Sequence, residues 1–140
     1  MITSANQLVY SVSAARRIFA IPKGVRVRIV KFWRVVWMWV AGHRPRFVSL
    51  SLFKAHFAER RMRAAQALSA HQWADVPHWW TVRNPANNNS YPVVLAPAGP
   101  VCRCDDDRNQ RHLLGKGICK HGYAVLQAMG YGSLSAYLAR

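Results

Sequence analysis

Apolar residues along this chain change their spacing three times, and each change marks an element. VRVRIV, residues 25–30, alternates apolar and basic side chains, which suits a strand with one wet face. WRVVWMWV, residues 33–40, fits either a continuation of that strand or an amphipathic segment on a membrane surface. The period then lengthens. Leu50, Phe53, Phe57, Ala64 and Leu68 recur at helical spacing in an Ala-rich stretch, predicting a helix over residues 51–72 with Ser49 or Ser51 as its cap. Lys54, Glu59, Arg60, Arg61 and Arg63 fall mostly off that stripe and read as a solvated face. WADVPHWW, residues 73–80, reads as a connection that packs helix against sheet. The period returns to two in WTVR and YPVVL, residues 80–83 and 91–95, and the turn chemistry of NPANNNS between them predicts a hairpin. Pro92 places the second strand at an edge, and APAGP, residues 96–100, ends it. CKHGYAVLQAMG, residues 119–130, carries Ala124, Val125, Ala128 and Met129 at helical spacing and stops at Gly130. Ser133 caps a last short helix in LSAYLA.

These elements predict a small α+β protein. Charge divides it further. Twenty Lys and Arg face five Asp and Glu, a formal net charge of +15. Such an excess favours a polyanionic partner: DNA, RNA or an anionic membrane surface. Residues 1–58 hold ten Lys and Arg and no acid. Residues 1–48 therefore read as a basic leader, disordered or outside the domain, as translated sequence upstream of a domain's own start would be. Residues 49–78 read as helix and connection, and 79–140 as the folded domain. The leader lacks the charged segment ahead of its apolar residues that a secretory signal needs. Its uninterrupted apolar run, residues 35–42, is far short of the ~20 residues that span a bilayer.

All three cysteines lie in CRCDDDRNQRHLLGKGICKH, residues 102–121. An odd count cannot be fully paired in disulfides, which points to a reducing compartment: the cytoplasm, or the nucleus in a eukaryotic host. Cys102, Cys104, Cys119 and His121 supply three sulfurs and one nitrogen as two closely spaced pairs, the donor set of a structural zinc site. The polar segment between the pairs reads as a loop closed by the ion, too polar to pack alone. Alternatives are buried structural cysteines, a disulfide from Cys119 to Cys102 or Cys104 that leaves an orphan thiol, or a redox pair that has no use for His121. His112 is a spare imidazole in the loop, a substitute ligand should His121 point away.

The order CxC, a variable gap, then CxH resembles the SWIM-type zinc finger. The likeness extends to the strand with Tyr91-Pro-Val-Val before CRC, to Asp105 directly after it, to Gly117 before the second pair, and to the helix that CKH opens. It covers about residues 79–131. The resemblance implies a compact zinc-stapled ββα unit with Cys102, Cys104, Cys119 and His121 on Zn2+, and either nucleic-acid binding or protein–protein interaction. Catalytic domains carried by larger members have no counterpart here, and four ligands leave a tetrahedral zinc no open position. No HExxH motif is present. The expectation is a non-enzymatic, zinc-dependent nucleic-acid-binding module with no small-molecule substrate. Lys116, Lys120, Arg83, Arg103, Arg108 and Arg111 are its candidate phosphate contacts; a protein-interaction adaptor with a purely structural zinc is the alternative.

Overall fold

The structure, a computed structural model, describes residues 5–140. The fold is α+β, built from helices and two antiparallel sheets. The chain forms two compact units, Met1–Glu59 and Arg60–Arg140. Their divide falls inside a helix, whereas the sequence pattern places breaks after residues 48 and 78.

In the first unit, α1 (Ala5–Val9) and α2 (Val12–Ile18) precede β1 (Val27–Lys31), β2 (Val35–Val40) and β3 (Arg46–Ser49). The stretch read as a leader therefore carries regular structure. Its physical basis is the alternation already visible in VRVRIV: Val36, Met38 and Val48 are buried, and intervening side chains are wet or half-buried. WRVVWMWV does not prolong the first strand; the chain turns at Phe32–Arg34, where the Phe32 N–H donates to the Val35 carbonyl at 2.8 Å, and comes back antiparallel. Ser11 caps α2 by accepting from the Ala14 N–H at 3.0 Å. The helix α3 (Leu50–Ala65) begins in this unit with Phe53 fully buried and Tyr10 5.7 Å from its ring.

The second unit holds a four-stranded antiparallel sheet in the order β4 (Ser69–Gln72), β5 (Trp79–Arg83), β6 (Ser90–Ala96) and β7 (Gly99–Cys102). α4 (Asp105–Leu114), α5 (Lys120–Ala128) and α6 (Leu134–Leu138) follow. α5 packs across all four strands. Its Tyr123, Val125 and Leu126 meet Trp80, Val82 and Val93 of the sheet in one core that also includes the three cysteines and Tyr137. Among the described residues, no helix is long and apolar enough to cross a membrane.

Three local expectations are corrected. The helix predicted to residue 72 ends at Ala65. Gln66, Ala67 and Leu68 make tighter bonds to carbonyls three residues back, and Ser69–Gln72 then pairs with Trp80–Arg83. A sheet edge in need of a partner overrides weak helical propensity here. The segment after the first cysteines is not a loop but α4, with three aspartates in its first turn facing the helix dipole and Gly115 at φ 74° closing it. APAGP ends β6 at Ala96, as expected, and turns the chain at Gly99, φ 134°, into a further strand, β7. β6 is therefore internal. Pro92 is tolerated because its pairing with Thr81 lies in the non-hydrogen-bonded phase, so its missing N–H would face the β7 side. β7 reaches only to Cys102 opposite Val93.

Leu126→Ala removes a side chain with no solvent exposure from this core and is expected to cost about 2–5 kcal/mol in a urea titration. Leu138→Ala, half exposed, is expected to stay within about 0.5 kcal/mol.

Candidate metal centre

Three element ends converge below the sheet. Cys102 closes β7, Cys104 is the N-cap of α4, Cys119 is the N-cap of α5, and His121 sits in the first turn of α5. The helix starts matter because an N-cap residue has extended backbone and turns its side chain back over the helix end. Cys104 uses that geometry to accept the Asp107 N–H on Sγ at 3.5 Å. All four side chains are buried, Cys119 completely. Their donor atoms lie within 4.8 Å of one another, close enough to hold a metal ion. His121 turns Nδ1 toward the sulfurs, 3.8 Å from Cys102 Sγ and 3.6 Å from Cys119 Sγ. The Tyr91 ring packs on the imidazole with centroids 4.5 Å apart, restricting its rotation. The thiols are not bridged to one another. His112 is exposed and outside the cluster.

The three sulfurs perturb one another strongly. Three sulfurs share a small buried space. Hydrogen bonds from Cys102 and then Cys119 hold the Cys104 thiol far below the ordinary thiol range. The same bonds act in reverse on the donors: Cys102 is pushed up to about 11, chiefly by its bond to Cys104, and Cys119 is raised by its bonds to Cys102 and Cys104 and by burial. A metal ion held by the cluster would favour the ionised form of all three sulfurs.

α4 supplies the frame. Asp107 is buried; its carboxylate accepts from the Cys102 backbone N–H at 3.1 Å and from Arg111 Nε at 2.5 Å. Arg111 also donates to the carbonyls of Pro100 at 3.1 Å and Gly117 at 3.2 Å. Gln110, also buried, pairs with both the N–H and the carbonyl of Ile118, each at 3.0 Å. One helix therefore grips the strand that delivers Cys102 and the segment that delivers Cys119. Gly117 is required by this grip, since a Cβ there would lie 2.4 Å from the Gln110 Cβ. Arg61 adds a two-bond ion pair to Asp106, 2.8 Å at each contact.

This frame was not apparent from the chain's pattern, although Asp107 and Arg111 stand four apart, the spacing of neighbours on a helix face. Arg111 is consequently not a free phosphate contact: its guanidinium is engaged by a buried carboxylate and two carbonyls. Arg108 pairs with Asp105 at the surface. Arg83, Arg103 and Lys116 are exposed, and Lys120 is half-buried at the head of α5. Lys120 lines a cleft of ≈ 440 Å³ with Arg60, Asn84, Tyr91 and the metal-facing Cys104 and His121.

No family model, curated protein or solved structure matches this chain.

Asp107→Asn is expected to lower metal affinity about 10–100-fold, the usual effect of losing a group that orients ligands. Competition against a chromophoric chelator measures it. His112→Ala, tested alongside, is expected to leave the affinity unchanged.

Proposed function

We propose that this protein is a zinc-binding module of the SWIM type whose basic surface binds nucleic acid, with DNA as the first candidate. Donor geometry supports zinc. Bonds of about 2.3 Å to sulfur and about 2.05 Å to nitrogen at the tetrahedral angle imply a sulfur–nitrogen edge of about 3.6 Å. The separations of 3.8 and 3.6 Å around His121 Nδ1 are the observation that carries this reading. Three thiolates and an imidazole also suit zinc better than hard, oxygen-seeking cations. A tetrahedron filled by protein donors has no position for an activated water, so the metal's role is to hold the fold rather than to catalyse a reaction.

Charge supports the partner. Residues 60–140 carry ten Lys and Arg against four Asp. Arg83, Arg103, Lys116 and Lys120 are the members of the expected set that the internal ion pairs do not engage, and three of them are exposed. Cations displaced from a nucleic-acid backbone make such binding strongly salt-dependent, with a log–log slope of about −0.9 per phosphate neutralised.

Affinity of the zinc-loaded chain for a labelled DNA duplex, followed by anisotropy across a salt series, tests the partner. The duplex affinity is expected to fall steeply with salt. Lys116→Ala and Arg103→Ala are each expected to reduce the slope by about one while lowering affinity uniformly across sequences. No binding at low salt would overturn the nucleic-acid assignment and leave a protein-interaction role for the module.

A further inference from the structure

The first unit carries ten Lys and Arg with Glu59 as its one acid, a formal charge of +9. No carboxylate in its first 58 residues is available to neutralise them. The three-stranded sheet sorts its side chains by face. Val36, Met38 and Val48 go inward. The other face receives Arg28 and Val30 from β1, Trp37 and Trp39 from β2, and Phe47 from β3, because alternate residues share a face. Register places Arg28 beside Trp39, and Val30, Trp37 and Phe47 in one row across the three strands. Arg28 and Val30 are exposed, Phe47 is 67% exposed, and the two tryptophans are half-buried between their neighbours. At the turn between β1 and β2, Trp33 is 83% exposed, with the Arg34 guanidinium 5.1 Å from its ring centroid. At the other end of the face, Arg16, Arg26 and Arg28 converge with Trp39 around a cleft of ≈ 410 Å³.

We propose that this sheet face is a binding surface for single-stranded nucleic acid, with Trp39, Trp37 and Phe47 stacking on bases and Arg26 and Arg28 receiving phosphates. Flat aromatic side chains interleaved with cations are what a sequence-tolerant single-strand site requires, since every base offers a π-face and every nucleotide a phosphate. The cleft beside Trp39 is within the ~300–1,000 Å³ range of small-ligand sites. A lipid surface fits less well. A membrane-seated face presents a continuous apolar patch with its cations on the opposite side or at the rim. Here Arg28 stands within the aromatic face, directly beside Trp39. The surface lies on different residues from the zinc-dependent one and does not rest on that reading.

The test uses the zinc-loaded chain with labelled oligo(dT) and oligo(U), monitored by anisotropy and by quenching of tryptophan fluorescence. Binding with quenching is expected. Trp39→Ala is expected to weaken it about 5-fold or more, while Trp39→Phe retains most of the affinity. Arg28→Glu and Arg26→Glu change exposed side chains; each is expected to weaken binding and flatten its salt dependence. None of these changes is expected to alter duplex binding through Arg103 and Lys116, which separates this surface from the other. Oligonucleotide affinity unmoved by Trp39→Ala and by both arginine reversals would overturn the proposal. So would failure to bind either oligonucleotide while vesicles of equimolar phosphatidylserine and phosphatidylcholine capture the protein through the same residues.

Discussion

Three sulfurs and an imidazole nitrogen held within one coordination sphere are the constraint on which the second unit depends. Buried together without a cation they compete for protons, and the hydrogen bonds among them push one thiol down and two up. With a cation they become a single cross-link between β7, α4 and α5. The cross-link matters because the unit is small. Few residues of α4 contribute to the apolar core; its buried side chains are Asp107 and Gln110. Such a helix gains little from hydrophobic burial and must be fixed by directed interactions: the N-cap sulfur at one end and the Arg111 and Gln110 bonds along its length.

The placement of Asp107 shows how polar and metal chemistry cooperate. A carboxylate buried beside three sulfurs would be costly if left alone. It is compensated on one side by Arg111 and on the other by the Cys102 N–H, so that it orients the backbone at a ligand while its own charge is met. The same arginine ties the two ligand-bearing segments through Pro100 and Gly117. Removing the metal or the clamp would therefore loosen the same three segments, and the ligands and their frame are better regarded as one unit than as a site and its surroundings.

What the chain discloses by pattern alone follows from range. β1, the hairpin of β5 and β6, α5 and the Ser133 cap are signalled by local period and punctuation, and the metal cluster by spacing and donor type. β4 is not legible, because Ser-Ala-His-Gln has little strand character and becomes a strand only by pairing with β5. α4 is hidden for the opposite reason: it lacks an apolar stripe, although three aspartates at its start and Gly115 at its end mark it as a helix once those signals are weighed above polarity. The inward turn of Arg111 depends on carbonyls from two other segments, which no local pattern encodes. The resemblance to SWIM-type fingers rests on the residues themselves, and the strand β7, which ends in Cys102, is a feature those motifs do not suggest.

Surface and staple have separate tasks in the proposed reading: a metal would set the shape of the second unit, while exposed cations on both units and the aromatic sheet face of the first would meet partners. The claim that everything else hangs on is the first. Metal content of the purified chain by native mass spectrometry, with near-ultraviolet circular dichroism before and after a chelator, tests it most directly, with Cys119→Ala beside the unmodified chain. The account predicts a single zinc ion per chain, absent from Cys119→Ala, and loss of the near-ultraviolet signal of the buried tyrosines and Trp80 on chelation. A metal-free chain with an unchanged spectrum, or zinc retained at full occupancy by Cys119→Ala, would contradict it.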